Sequence, residues 1–305
     1  MWFIIILLVV GSVLLFVGGP DYHSSRSLKY FWDLGHIVYF ALLASLLCRW
    51  RAVSAMPLIW QWVTVLTGTV LFGTAIELMQ YGTSRTPNIG DIVRDLNGSL
   101  LVLVFGPPGQ KLRRVSIRQV LRISVLMLTL LMFWPVVRSL IDETIARYQF
   151  PLLSGFETPF ETGRWQANKR LSVESIAPLS DGKSLRLSLT TDRYSGAALK
   201  YFEGDWTSAR ALKVRLYNPD TSPLRITCRI HDLQHSDGNQ EYEDRYNRSF
   251  DLVPGWNQLE IDLAEVKQSP SGRLMDMSRI RGLMFFAVSL HFPRLIYIDD
   301  LRLTY

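Results

Sequence analysis

The sequence predicts a multidomain membrane protein: an α-helical transmembrane bundle of about five spans, followed by an antiparallel β-sandwich. Long uncharged runs fill the first half of the 305 residues, whereas short stretches of alternating apolar and polar residues fill the second. Charge divides at the same place. Residues 1–149 carry 13 Lys and Arg against 7 Asp and Glu, while residues 150–305 carry 20 of each. The net charge of +6 therefore belongs to the first half. Cations grouped beside apolar runs fit a membrane protein, and no docking face for nucleic acid can be traced, so that partner is not expected.

The apolar runs set the spans in order. Residues 1–20 are uncharged, and Leu34 to Cys48 is broken only by His36. Ala52 to Ile76 is a run of 25 uncharged residues, and Leu96–Gln110 and Ile123–Val137 are 15 each. A bilayer core takes about 20 residues, fewer where flanking side chains snorkel. The expected spans are 2–18, 34–50, 57–80 and 91–106 within a domain covering 1–110. A basic cytoplasmic loop (111–122), a fifth helix (123–138) and a linker (139–150) follow. The first run lacks a basic leader region and a small-residue cleavage site, so it reads as a retained helix.

Orientation follows from the short loops. With Arg49, Arg51 and the five cations of "KLRRVSIRQVLR" inside, seven cations are cytoplasmic, against four (Arg26, Lys29, Arg85, Arg94) outside. The N-terminus is then cytoplasmic and everything beyond the fifth span extracytoplasmic. Cys48 and Cys228 fall on opposite sides, so no intrachain disulfide is expected.

One stretch carries chemistry: "GTAIELMQYGTSRTPNIGDIVRDLNG", Gly73 to Gly98. Glu77 and Gln80 share a helix face at i, i+3, and Asp91 and Asp95 are i, i+4 at the head of the next helix. His36 opens an earlier helix beside Asp33. In this topology all of them gather near the extracytoplasmic interface. Two carboxylates, an Arg and a His in a partly desolvated pocket are the parts of a proton-transfer or anion site. Helix anchoring and dipole complementation by Asp91 are the alternative. The order E-x-x-Q-x4-R-x5-D, with a later Gly98 and a preceding His36, resembles the VanZ-like membrane family over about residues 1–110. Trp32-Asp33 stands where that family has D-K, and Asp95 where Asn is usual. The resemblance implies a bacterial cell-envelope protein in the plasma membrane, linked to glycopeptide-antibiotic susceptibility. It implies a site at His36, Glu77 and Asp91, with Asp33, Gln80, Arg85 and Asp95 lining it, but no reaction.

After Asp142 the pattern becomes period-two: "SLRLSLT", "ALKVRLY", "LRITCRI", "WNQLEID", "IRGLMFF" and "RLIYIDDLRL", punctuated by turns such as "SDGKS" and "YNPDTSP". Many short strands with such breaks make 151–305 a β-sandwich. The order resembles jelly-roll, galactose-binding-like domains appended to carbohydrate-active proteins. That resemblance implies a possible structural Ca2+ at Glu157 and Asp300, where a solvated strand edge is the alternative; no other cofactor is expected. Opposite the predicted core lie Lys213, Arg215, Tyr217, Arg225, Arg229 and His231, with Trp206 and Arg245 near in sequence. Such a face suits a sugar, and it equally suits a wet surface of cross-strand ion pairs.

Two functions are expected from these readings. One is an envelope protein whose sandwich binds cell-wall glycan or a partner beside the lipid bilayer. The other is a membrane enzyme doing acid/base chemistry on a lipid-linked precursor or cell-wall substrate, with His36 and Glu77 or Asp91 moving protons and Arg85 holding an anion. A five-span transporter without an inverted repeat is disfavoured.

Overall fold

A computed structural model describes residues 2–16, 19–21, 23–80, 88–167, 171–175 and 182–305. The chain divides into two compact units, Met1–Ser139 and Leu140–Tyr305.

The first unit is helical. It contains α1 (Trp2–Phe16), α2 (Arg26–Asp33), α3 (Gly35–Arg49), α4 (Arg51–Ser54), α5 (Leu58–Gln80), α6 (Ile89–Phe105) and α7 (Pro107–Gln110), then most of α8 (Val115–Gln149). Three stretches are long and apolar enough to cross a membrane: Arg26–Arg49, Leu58–Met79 and Val115–Gln149. The other two expected spans are shorter helices, 15 residues in α1 and 17 in α6. Caps set the starts: Ser25 accepts from Leu28 N, and Asn88 from Gly90 N, satisfying orphan donors of α2 and α6. Helix α8 is far longer than the expected 123–138, absorbing most of the loop and linker placed on either side. Arg118, Gln119 and Arg122 carry straight-chain side chains that cost a helix little, so charge alone does not stop it. Arg122 lays its guanidinium over the Phe105 ring, 5.5 Å from its centroid.

Helices α3 and α6 pack closest. A Cβ at Gly98 would run into the Ile37 carbonyl and the Ala41 amide, so only glycine permits this approach. Around that contact Phe40, Ala44, Leu103 and Val104 are fully or almost fully buried, and Thr69 and Ser99 share a buried hydrogen bond of 2.7 Å between α5 and α6.

The second unit is a sandwich of two antiparallel sheets. Its strands are β1 (Leu152–Ser154), β2 (Trp165–Ala167), β3 (Ser172–Ser175), β4 (Lys183–Leu189), β5 (Tyr194–Leu199), β6 (Ala211–Asn218), β7 (Leu224–Asp232), β8 (Tyr246–Leu252), β9 (Gly255–Asp262), β10 (Ile280–Val288) and β11 (Arg294–Thr304). One sheet runs β3-β4-β11-β6-β9, with β1 also on β11, and the other β2-β5-β10-β7-β8. Two short helices, α9 (Leu233–Asp237) and α10 (Leu263–Gln268), are capped by Asp232 and Asp262. The alternating runs read from the sequence all fall on strands. Leu185, Leu187 and Leu189 of β4, Leu212, Val214 and Leu216 of β6, and Ile226, Cys228 and Ile230 of β7 meet in one core. Cys228 is buried there, where desolvation pushes its thiol up, while Cys48 is buried in the helical unit; both are free.

The end of α8 belongs to this unit through a buried ion pair. Arg164 donates from Nε and Nη2 to Asp142 at 2.7–3.1 Å and from Nη1 to the Leu153 carbonyl at 2.9 Å. Each residue is 1% exposed. Removing one partner of such a pair strands a charge in the interior. The Asp142→Ala variant is expected to lose about 3–5 kcal/mol of sandwich stability, with most of it recovered in Asp142→Leu/Arg164→Met. Denaturant unfolding followed by tryptophan fluorescence checks this, and an unchanged midpoint in the single variant contradicts it.

Candidate functional site

Two polar constellations stand out, one in each unit. In the helical unit, His36 at the head of α3 and Asp95 in the second turn of α6 face each other across the Gly98 contact. Their Nδ1 and Oδ1 atoms lie 2.8 Å apart, both side chains buried. A proton on Nδ1 donates to the carboxylate and leaves Nε2 as the second ring position. Glu77, 6% exposed near the end of α5, accepts from Asn88 N at 2.8 Å through Oε2. Its Oε1 is buried without a hydrogen-bond partner among the described residues. Arg94 pairs with Asp91 and reaches Asp33 at 3.5 Å. The fold thus gathers His36, Glu77, Asp91, Asp95 and Asp33, with Asp91 and Glu77 close enough to act electrostatically on the His36–Asp95 pair. Arg94 carries the cation at this cluster. Arg85 and the side chain of Gln80 lie outside the described residues.

In the sandwich, the positions expected to share one face divide. Lys213, Arg215 and Tyr217 lie on β6 and Arg225, Arg229 and His231 on β7, and these strands belong to different sheets. On the first sheet, Tyr217 packs between Trp256 (5.2 Å) and Tyr297 (6.1 Å), with Arg215 over Trp256 at 4.5 Å. The rings are tilted by 52° and 57°, the geometry of cross-strand packing rather than a flat platform. Trp206 is in the core, 1% exposed, its Nε1 donating to the Glu203 carbonyl.

Arg229, His231 and Arg245 do converge, on the outward face of β2-β5-β10-β7-β8. Register places Met284 of β10 beside Arg229 on one side and Ala198 on the other, with Gly282 beside His231 and Gly196 beside Phe286. The short side chain of Ala198, between Met284 and Gln166, makes a shallow trough on this face. At Gly282 the imidazole of His231 occupies the space a Cβ would need. Tyr194 borders the trough at one end, edge-on to Phe286 at 5.8 Å. At the other, Arg245 lies over the Tyr242 ring, 5.3 Å from its centroid. Arg229 Nε, His231 Nδ1 and Arg245 Nε are buried atoms without a hydrogen-bond partner among the described residues.

A scaffold behind the face holds these groups. Arg273 grips Asp232 through both terminal nitrogens (2.6 and 2.9 Å) and Asp244 through Nε (2.5 Å). Asp244 faces His235 Nδ1 at 3.3 Å, and Arg229 Nη2 donates to His235 Nε2 at 3.3 Å. A guanidinium can only donate, so His235 is neutral with its proton on Nδ1. Burial alone would raise Asp232. Hydrogen bonds from Arg273 and from the Asp276 and His235 amides outweigh it and hold that carboxyl below its ordinary range. Hydrogen bonding to Arg273 does the same for Asp244. Burial, reinforced by Arg229, His235 and Lys200, holds His231 down to about 3, and burial with Arg229 lowers His235. Burial, with Arg245 beside it, brings Arg229 down to about 10. Sequence reasoning missed Arg273, Asp232 and His235, because only the fold brings positions 29 and 41 residues apart together.

Glu157 Oε1 accepts from Lys183 N at 2.9 Å, and Asp300, at φ 48°, pairs with Arg302. Burial raises neighbouring Asp299 above its ordinary range. Among the described residues no group of three or more His, Cys, Asp or Glu is disposed to hold a metal.

No family model matches the chain, and no curated protein matches it. Solved structures share a likeness over half of it. An exo-β-agarase is 16% identical over 50% of this chain and 24% of its own, at a TM-score of 0.41. The family 11 carbohydrate-binding module from Clostridium thermocellum, in complex with a β-1,3-1,4-mixed-linked tetrasaccharide, is 17% identical over 50% of this chain and 94% of the module, at 0.38. A carbohydrate-binding module specific for non-crystalline cellulose is 10% identical over 51% and 93%, at 0.35. The chain spans about a quarter of the agarase. At these scores no ligand or residue role carries over.

The shifted histidines give a pH dependence. A His held low when folded but ordinary (6.5) when unfolded takes up protons on unfolding, so its stabilisation is full above pH 6.5 and is lost as pH falls toward 3. Asp232 and Asp244 add a second loss once pH falls below about 4. The melting temperature of the sandwich is expected to drop between pH 7 and 5, and His231→Gln to flatten that limb while leaving the acid limb. Identical slopes for the two proteins contradict the assignment.

Proposed function

We propose that this chain is an integral membrane protein whose C-terminal β-sandwich binds glycan on the outward face of β2-β5-β10-β7-β8. The observation that carries the reading is the shallow trough at Ala198 beside Met284, with Arg229, His231 and Arg245 next to it. It is bordered by Tyr194 and Tyr242, and neither Arg229 nor Arg245 pairs with a carboxylate among the described residues. A sugar needs apolar contact for its ring and a few fixed polar groups for its hydroxyls, and this face offers both. The three stretches of spanning length support membrane insertion. With α1 and α6 as shorter partners the helical unit makes five spans, and the loop charges put the N-terminus in the cytoplasm and the sandwich outside. The resemblance of the first 110 residues to VanZ-like proteins supports a place in a bacterial envelope.

A second reading has its own observation. The buried His36–Asp95 pair, with Glu77 Oε1 buried nearby and unpartnered among the described residues, is an arrangement that moves protons when a substrate reaches Nε2. It adds a membrane-level reaction to the binding role.

Retention on immobilised polysaccharides tests the binding reading, using the full chain in detergent. Ala198→Trp fills the trough between Met284 and Gln166 while leaving Arg229, His231 and Arg245 in place. It is expected to weaken retention by about tenfold or more, as loss of a buried contact surface does, with no fall in melting temperature. Absence of retention across neutral and charged polysaccharides contradicts the reading.

A further inference from the structure

Two guanidiniums on this face lie beside each other. Arg229 and Arg245 are each half-buried, and neither makes an ion pair with a carboxylate among the described residues. The nearby carboxylates are committed elsewhere: Asp232 and Asp244 to Arg273, and Asp251 to Arg225. The side chain of Lys200 also lies close enough to act on Arg229 and His231. Both histidines are held neutral, so they offer hydrogen bonds without adding charge. Burial lowers Arg229 and Arg245, and Arg245 depresses Arg229 further. Two desolvated like charges cost folding free energy, and an anion on the face recovers it.

We propose that the trough selects glycans bearing carboxylate or sulfate groups, which Arg229 and Arg245 bind while the sugar rings lie over Ala198, Met284 and Tyr194. The inference rests on the glycan reading above and specifies its ligand class. The planar fork of a guanidinium matches a carboxylate or a sulfate edge-on. Arg229 gives Nη2 to His235 and buries Nε, which leaves Nη1 as the nitrogen an anion reaches.

The test uses the full chain in non-ionic detergent and two matched pairs of polysaccharide: polygalacturonate with its methyl ester, and dextran sulfate with dextran. At least one charged member is expected to bind about tenfold or more tightly than its uncharged partner, the worth of one charge-assisted hydrogen bond. That preference weakens as salt rises. Arg229→Gln and Arg245→Gln each lose the preference, and Arg229→Lys keeps part of it. Arg245→Gln relieves repulsion and breaks no hydrogen bond or ion pair among the described residues, so it melts at or above the parent temperature, which separates lost binding from lost folding. Equal binding of charged and uncharged members, blocked by Ala198→Trp in both cases, overturns the anionic preference and leaves the glycan reading standing. Unchanged preference in both Gln variants also overturns it. Binding to none of the four overturns the glycan reading and this inference with it. So does binding only to phosphatidylglycerol vesicles, which assigns the cations to a lipid surface.

Discussion

Alternate residues of a strand point to opposite faces, and in β7 that rule decides what the sandwich can do. Ile226, Cys228 and Ile230 go inward and fill the space between the sheets, which fixes Thr227, Arg229 and His231 outward. A one-residue slip would put Thr227, Arg229 and His231 into the core. The register that stabilises the fold therefore also presents the groups of the face. Everything behind them follows: His235 caps onto Asp232 in the turn after β7, and Arg273 returns from beyond α10 to hold both acids. The network consumes the local carboxylates and leaves the outward guanidiniums without one.

In the helical unit the corresponding constraint is burial between the helices. Buried polar groups there must find partners among the helices, and those partners come from well-separated parts of the chain: His36 with Asp95, Thr69 with Ser99, Asn97 with Thr129. Gly98 brings α3 and α6 close enough for the first of these. Glu77 and Asp95 are thus built into packing, and a substitution at either disturbs it.

Much of the architecture was legible in the residues. Period-two runs identified strands from Lys183 to Thr304, since a half-buried strand needs that pattern. Apolar length identified α3, α5 and α8. Helix ends were harder: α8 extends through Arg118 and Arg122 because a long cation need not leave a helix to reach water. Alternation also says nothing about which sheet a strand joins, so Lys213 and Arg229 read alike although they sit on opposite outer faces. Trp206 was close in sequence to the face yet is a core residue. Arg273 carried no local signal, because its partners belong to other segments. The convergence of Glu77, Asp91 and His36 was readable from helical spacing, while the direct His36–Asp95 contact depended on a glycine whose role appears only when two helices meet.

Hydroxyl-radical footprinting of the full chain in detergent, with and without oligogalacturonate, tests the central claim most directly. The account predicts reduced oxidation of Tyr194, Tyr242 and Met284, with Tyr217, Trp256 and Tyr297 on the other sheet unchanged. Protection of Tyr217, Trp256 and Tyr297 with Tyr194 and Met284 still reactive would contradict it.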